Sequence, residues 1–190
     1  ENDYRLVNEL FDILNDVDVV IAHNGKQFDL KYINTRLIYH GFPPPTPYRV
    51  IDTLQIARKN FRFPSNKLND LCVYMGIGGK IETGGFKLWR GYLRGNEDAI
   101  ETMIEYNMQD VLILEEVYLK LRAWDNGLVN HNIFSESDVC PCCGSNSFEN
   151  TGKFLYTSVN LYETFRCREC GRIFKNRSKV KNKKVNFVNV

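Results

Sequence analysis

Six cysteines, five of them in one short C-terminal stretch, constrain what this chain can fold into more than any other feature. Cys140 and Cys143 are separated by two residues, as are Cys167 and Cys170, and a Gly follows each pair. Thiolates at this spacing in a tight turn bind one ion together, and two such pairs complete a tetrahedral Zn²⁺ site. The sequence therefore predicts a structural zinc site in this stretch.

The two cysteine pairs resemble the knuckles of a zinc ribbon, which implies a small β-hairpin fold over residues 139–175. The 23 residues between the pairs slightly exceed the usual separation, and a hairpin over residues 153–165 would accommodate the excess. Cys142 lies between ligand positions and Cys72 lies in a predicted helix over residues 68–75, so we expect neither to bind the ion. A disulfide framework is the alternative, and it is disfavoured because nothing in the sequence suggests secretion.

A second pattern lies upstream, in a long helix predicted over residues 98–122, where apolar residues recur at helical spacing without Pro or Gly. Tyr106 and Asp110 are four residues apart, so they share one face of this helix. The apolar run 17–22 predicts a buried strand, and Asp29 follows it where another helical pattern begins. A side chain at such a junction can point into a cleft, so these three side chains are candidate site residues.

Each of these residues also has a simpler interpretation. A Tyr-x3-Asp on a helix usually belongs to the surface or the core, and an Asp near a helix start is more often a cap than a ligand. His23, beside the end of the predicted strand, is expected to be a hydrogen-bonded structural group. The order of motifs along the chain is what favours the functional interpretation.

Four segments in succession carry a resemblance to a known family. They are residues 19–29 (VVIAHNGKQFD), residues 50–54 (VIDTL), residues 65–71 (SNKLNDL) and the pair Tyr106-x3-Asp110. Over about residues 3–124, this succession resembles the DEDD superfamily of 3′→5′ exonucleases, whose fold is ribonuclease-H-like. The expected fold class is therefore α/β, followed by the small ribbon.

The resemblance implies a role for each matching residue. Asp29 and Asp110 would be ligands for Mg²⁺ or Mn²⁺, and Tyr106 would orient the attacking water. The tyrosine subtype is indicated because Glu105 stands where the histidine subtype carries its His. Two ions about 4 Å apart stabilise the attacking and leaving oxygens of phosphodiester hydrolysis, and hard oxygen ligands suit these metals.

Two further residues are implied by the same resemblance. Asn24 and Phe28 match the family's segment around the second carboxylate, where they would shape the substrate cleft.

One part of the family's pattern is missing, namely an Asp-x-Glu pair on the first strand. We expect the family's first three strands and both acidic ligands to lie before residue 1 or on a second chain. A sheet reduced to strands at 17–22 and 49–54 would expose its edges and a bare apolar face. The exonuclease-like domain over residues 1–124 is therefore expected to be incomplete, with a linker over residues 125–138.

Charge divides the chain into two parts. Residues 151–190 hold ten Lys and Arg against two Glu, whereas residues 1–150 hold 15 basic and 21 acidic side chains. An acidic catalytic part suits a metal site, and a basic C-terminal part suits nucleic-acid phosphates. The expected phosphate contacts in the basic tail, residues 176–190, are Lys181, Lys183 and Lys184.

The remaining composition is that of a globular protein, with 43% hydrophobic residues and neither a long apolar span nor a signal-peptide pattern. We expect a cytoplasmic location and no membrane partner. The arrangement is similar to predicted nucleases of bacteriophages, which would place the protein in a bacterial host cell. The sequence predicts a 3′→5′ exonuclease acting on DNA, with single-stranded 3′ ends as the expected substrate. The alternatives are a non-catalytic binding subunit with a degenerate nuclease fold, or an assembly protein of a larger complex.

Overall fold

The computed structural model of the protein describes residues 2–78 and 85–180. The chain divides into two compact units, Glu1–Leu121 and Arg122–Val190. Lys181, Lys183 and Lys184, the phosphate contacts expected in the basic tail, lie outside the described residues. No described helix combines the length and the apolar composition that a membrane span requires.

Two parallel strands and six helices are described in the first unit. The strands are β1 (Val19–Ala22) and β2 (Arg49–Asp52), and the helices are α1 (Tyr4–Asp16), α2 (Asp29–Tyr39), α3 (Thr53–Asn60), α4 (Leu68–Met75), α5 (Phe86–Leu93) and α6 (Glu97–Leu121). Val19 pairs with Arg49 and Ala22 with Asp52. Because α2 returns the chain between the strands, they run parallel and end at the same edge of the sheet.

The buried side of α6 supplies much of the core of the first unit. Met103, Ile113, Val117 and Leu121 on this helix are buried, at spacings of about one helical face. Another side of the same helix is apolar and uncovered. Its exposed residues, each 54–66% accessible, are Ile104, Met108, Val111 and Leu112. An incomplete domain is expected to leave such an apolar side open.

The structure corrects the sequence prediction at both strands and adds two helices. The buried strand predicted over residues 17–22 spans only Val19–Ala22, and none of its four residues is buried. The predicted strand 49–54 ends at Asp52, because the Asp52 carboxylate accepts a hydrogen bond from the Leu54 N–H at 3.1 Å and starts α3 there. The predicted helix 68–75 is confirmed with those bounds, and α6 differs from its predicted range by one residue at each end. Neither α3 nor α5 was expected.

A three-stranded antiparallel sheet forms the second unit. Its strands are β3 (Phe148–Tyr156), β4 (Leu161–Cys167) and β5 (Ile173–Lys175), in the order β3-β4-β5. The predicted hairpin is therefore present as β3 and β4. The rings of Phe148, Phe165 and Phe174 lie 5.3–5.9 Å apart, so they pack on one another in this small sheet.

Residues 125–138, expected to be a linker, take part in the structure of the second unit. The Arg172 guanidinium donates to the carbonyl oxygens of Ala123 and Asp125 at 2.8 and 2.6 Å, and to Asn126 Oδ1 at 3.0 Å. Leu128 packs against the buried cysteines. The structure therefore groups this segment with the rest of the second unit.

Candidate functional site

The loop between β1 and α2 has a tightly fixed backbone. Asn24 adopts a left-handed conformation, with φ of 68°, which Asn tolerates better than most residues. Its carbonyl oxygen accepts hydrogen bonds from the Gln27 and Phe28 N–H groups at 3.1 and 3.2 Å. A Cβ added at the buried Gly25 would lie 2.4 Å from the Ala22 Cβ, so this position has room for Gly alone. The backbone of the loop therefore has one defined conformation up to the start of α2.

Asp52, at the end of β2, holds this loop from the neighbouring strand. Its carboxylate is 4% exposed, and it accepts hydrogen bonds from the Asn24 N–H at 2.9 Å and the Lys26 N–H at 3.3 Å. It also caps α3 through Leu54. Asp52 lies in the family-like segment 50–54, but no role is predicted for it from the sequence. The signal available was an Asp before Thr-Leu at the start of a helical pattern, which is typical of an N-cap.

Asp29 is the first residue of α2 and its side chain is exposed. The helix has no side-chain cap hydrogen bond, so the simpler interpretation of Asp29 as a cap is not supported. One of its carboxylate oxygens lies 3.5 Å from the Cβ position at Gly25. The carboxylate therefore stands beside the fixed loop, at the carboxyl edge of the parallel strands.

Asn24 and Phe28, the expected substrate contacts, lie on the same loop. Both side chains are exposed, and Phe28 is 70% accessible although it is a large apolar residue. An exposed ring beside a carboxylate suits a base or sugar better than it suits a core.

Tyr106 and Asp110 lie on α6, as expected, and both are half-buried. The Oδ1 atom of Asp110 is buried, and both residues take part in interactions within the protein. Four residues place the two side chains one turn apart on the helix. That Asp110 shares an ion with Asp29 stays a prediction.

His23 has the structural role expected for it. Its Nδ1 atom lies 2.9 Å from Thr53 Oγ1, and its Nε2 atom lies 2.9 Å from the Asn66 carbonyl oxygen. Because a carbonyl oxygen only accepts, Nε2 carries the proton of that bond. His23 therefore joins the end of β1 to α3 and to the segment before α4.

The second unit brings the four predicted zinc ligands together. The Sγ atoms of Cys140, Cys143, Cys167 and Cys170 all lie within 4.8 Å of one another. The Cys140 and Cys170 sulfurs are 3.7 Å apart, and those of Cys143 and Cys167 are 3.6 Å apart. Sulfurs bound at ~2.3 Å to the corners of a tetrahedron lie ~3.8 Å apart, whereas a disulfide would join them at ~2.05 Å. The four cysteines are free, so the cluster could hold a metal ion.

The backbone of each cysteine pair repeats the same turn. The Gly144 N–H donates to the Cys140 carbonyl at 2.9 Å, and the Gly171 N–H donates to the Cys167 carbonyl at 3.1 Å. Both glycines have φ near +73°, a region that favours Gly. The sequence thus folds each pair into a turn that presents two sulfurs on one side.

The thiol pKa values in the cysteine cluster are shifted in opposite directions, upward at Cys140 and Cys170 and downward at Cys167. Burial raises the pKa of Cys140 to about 12 and that of Cys170 to about 12. Burial also acts on Cys167, but the N–H groups of Cys170 and Glu169 and the neighbouring thiols lower its pKa to about 7. Crowded thiols do not ionise together without a compensating cation, and a bound metal provides that charge. Cys142 is 2% exposed and outside the cluster, as expected of a non-ligand.

Comparisons with known proteins show which family and which longer protein the chain is similar to. A family model described as the RNase_H superfamily matches residues 1–122. Over 66 residues, the chain is 38% identical to a protein named DNA polymerase III PolC-type from Ureaplasma parvum serovar 3 (strain ATCC 700970). This match covers 35% of the chain and 4% of that polymerase, so it concerns a small part of the longer protein.

Proposed function

The chain belongs to the RNase H superfamily, and on that premise we propose that it is a divalent-metal-dependent nuclease that shortens single-stranded DNA from its 3′ end. Its active site combines residues of the first unit with acidic ligands from outside the 190 residues. The observation that carries the proposal is the loop of residues 23–28. Asp52 holds this loop from the adjacent strand, and the loop leaves Asp29 exposed at the carboxyl edge of the sheet.

The side chains suit the chemistry. Asp29 and Asp110 offer hard carboxylate oxygens, which Mg²⁺ and Mn²⁺ prefer. A pair of divalent ions, when bound, supplies the charge that stabilises the attacking and leaving oxygens. The Tyr106 hydroxyl, one turn from Asp110, orients the attacking water, while Asn24 and Phe28 position the terminal nucleotide.

Two carboxylates are fewer than a two-metal site requires. Among the described residues, the cysteine cluster is the only group of three or more potential metal-binding side chains. The described residues therefore form an incomplete metal site. The open apolar side of α6 and the two-stranded sheet likewise favour an incomplete domain. We propose that a further segment or chain covers part of this surface and brings the Asp-x-Glu pair that the sequence lacks.

DNA is the proposed substrate because the relative with 38% identity is named as a DNA polymerase. The tyrosine four residues before Asp110, and the order of the motifs, support 3′→5′ action. In the second unit, we propose that the four cysteines bind Zn²⁺ as a zinc ribbon, and that Lys181, Lys183 and Lys184 contact phosphates.

Metal binding tests the site without requiring hydrolysis. Isothermal titration of the zinc-loaded protein with Mn²⁺ is expected to show a site that Asp29→Asn and Asp110→Asn each weaken at least about tenfold. Asp12→Asn, an exposed acidic position on α1, is the matched control. Equal Mn²⁺ affinity in all four proteins would overturn the assignment of both carboxylates.

Hydrolysis is then measured on a 5′-labelled single strand, with the chain extended by its upstream coding sequence or joined by any co-purifying chain. We expect Asp110→Asn to abolish Mg²⁺-dependent shortening of the strand and Tyr106→Phe to leave a weaker enzyme. The Asp110 carboxylate is a proposed ligand of the metal ion, whereas the Tyr106 hydroxyl only orients the water. A duplex and a 3′-blocked strand test polarity and strand preference.

A non-catalytic binding subunit is the second candidate, and the small number of carboxylates is the observation that favours it. It predicts nucleic-acid binding without hydrolysis in every combination of chain and metal.

A further inference from the structure

Helix α5 lies on the surface of the first unit and carries a high density of cations. None of its residues Phe86–Leu93 is buried, and none is acidic. Lys87 and Arg90 lie on it, and Arg94 caps its C-terminal end. Because these residues are three and four positions apart, they share one face of the helix.

Close packing at Gly91 fixes α5 against α6. A Cβ added at Gly91 would lie 2.7 Å from the Ala99 Cβ, so the α5 backbone at Gly91 packs directly on the Ala99 methyl group of α6. Asn96 begins α6, because its Oδ1 accepts the Ala99 N–H at 2.9 Å. The two helices therefore form a rigid surface whose exposed side chains do not serve the core.

A groove of about 840 Å³ lies along this contact. Lys87, Arg90 and Arg94 line it from α5, while Asp98 is the only acidic residue among the lining side chains. Within the described part of the chain, no carboxylate forms an ion pair with any of the three cations. The groove is therefore net positive and its cations are available to a ligand.

An aromatic ring stands beside the cations. Phe86 is 74% exposed, and the Arg90 guanidinium lies 5.5 Å from the centre of its ring. An exposed ring next to a cation can stack on a base while the cation contacts the adjoining phosphate.

One residue that lines the groove lies on the same face of α6 as the candidate site residues. Thr102 lines the groove, and it precedes Tyr106 by four residues, as Tyr106 precedes Asp110. All three therefore share one face of α6, with ~6 Å between successive positions. A strand whose terminal phosphodiester lies at Asp110 would reach the groove within a few nucleotides.

We propose that the α5 groove binds the phosphate backbone of single-stranded nucleic acid, with Phe86 as a stacking platform for one base. This inference rests on the proposed nuclease function, since it supplies the path of the substrate strand away from the reacting end. It assigns nucleic-acid affinity to the first unit, independently of the basic tail.

Binding of a fluorescein-labelled twelve-nucleotide oligothymidylate tests the inference by anisotropy. The Asp110→Asn protein, without added divalent metal, prevents hydrolysis during the measurement. In this background, the triple variant Lys87→Gln, Arg90→Gln, Arg94→Gln should weaken binding at least about tenfold. The slope of log K against log salt should fall by about 2, since each lost contact with single-stranded phosphates contributes about 0.7.

The matched control removes the same charge elsewhere, through Arg58→Gln, Lys59→Gln and Arg62→Gln, which are also exposed. It should change affinity by less than about threefold. Phe86→Leu should weaken binding about fivefold with an unchanged salt slope, because stacking releases no counterions. Oligouridylate in parallel tests DNA against RNA.

Equal losses in the triple variant and its control, or no binding by the parent protein, would overturn the inference. The outcome is separate from that of the nuclease proposal. Specific loss of binding without hydrolysis in any assay would support the groove alone, whereas metal-dependent hydrolysis with full binding by the triple variant would support the nuclease alone.

Discussion

The two units of the protein stabilise their interiors by different means. In the first unit, aliphatic side chains from the helices and β2 are buried, among them Leu37, Ile51, Leu71 and Val117. In the second unit, Cys140, Cys142 and Cys167 form the buried group, with partly buried apolar residues such as Leu128 and Phe174 packed against it. The core of the first unit is therefore spread over many aliphatic contacts, whereas the second unit has a small buried core beside a group of four cysteines that could hold a metal ion.

Size explains the difference. A unit as small as the second buries little apolar surface, and a metal bound by four thiolates would add the stability that small folds often draw from such a site. In the first unit, where many aliphatic contacts form the core, we expect a single substitution to cost less than metal loss would in the second. The weak points of the first unit are instead the places where the backbone is held by a single group, such as the loop of residues 23–28.

Loss of metal should produce the largest difference in stability between the two units. Cys167→Ser or a strong chelator is expected to remove about 10 kcal/mol or more of metal-derived stability from the second unit and leave the first folded. Elemental analysis and limited proteolysis check this result. Cys142→Ala, next to the cluster but outside it, should keep one zinc per chain. Unchanged protease resistance in Cys167→Ser would contradict the zinc ribbon.

Asp52→Asn should cost the first unit about 1–3 kcal/mol. The amide presents a donor where the buried carboxylate accepts from three backbone N–H groups, so at least one group loses its partner. Urea unfolding of the first unit measures the loss, with exposed Asp12→Asn as the control. A change no larger than the control's would show that the loop does not depend on Asp52.

Gly25→Ala should destabilise the first unit by about 1–3 kcal/mol, because the new methyl lies 2.4 Å from the Ala22 Cβ. Removing the Ala22 methyl group in the double variant Ala22→Gly, Gly25→Ala should recover part of the lost stability. A double-mutant cycle in urea therefore yields a favourable coupling energy. Strict additivity would mean that the loop relaxes around the added group.

Acid should produce the smallest effect, at the start of α1. Hydrogen bonds from Arg36 and His40 hold the pKa of the Asp3 carboxyl well below its ordinary value of 3.8. A carboxyl with a depressed folded-state pKa stabilises the protein above pH 3.8, and this contribution is lost as the pH falls below that value. Asp3→Asn should thus be slightly less stable than the parent at neutral pH, with the difference vanishing in acid. A pH-independent difference in the melting temperature would contradict this assignment.

The sequence predicted those elements whose signals are local. Helix α4 was predicted with its observed bounds because an apolar pattern ends there at Gly76, whose φ of 67° stops a helix. The positions of Asp29 and Asp110 on their helices follow from similar local patterns. The approach of the four clustered cysteines follows from two turns of the same Cys-x2-Cys-Gly pattern, which is visible in the sequence.

What the sequence could not show depends on contacts between distant residues. Helix α5 has no buried side chain and contains Gly91, so periodicity gives no signal, and its place is set by the close approach to Ala99. The role of Asp52 lies in bonds to a loop that precedes it by more than 25 residues. The distance between Asp29 and Asp110 stays a prediction for the same reason.

The hydrogen bonds of Arg172 have a consequence for dissecting the protein. They reach the carbonyl oxygens of Ala123 and Asp125, so the folded body of the second unit begins near Arg122. A fragment that begins within the Asn-, Ser- and Gly-rich residues 126–138 would lack Ala123 and Asp125, so the Arg172 guanidinium would lose these two acceptors. An excised second unit should therefore start at Arg122, and a protease that attacks flexible linkers should spare residues 125–138 as long as the second unit stays folded.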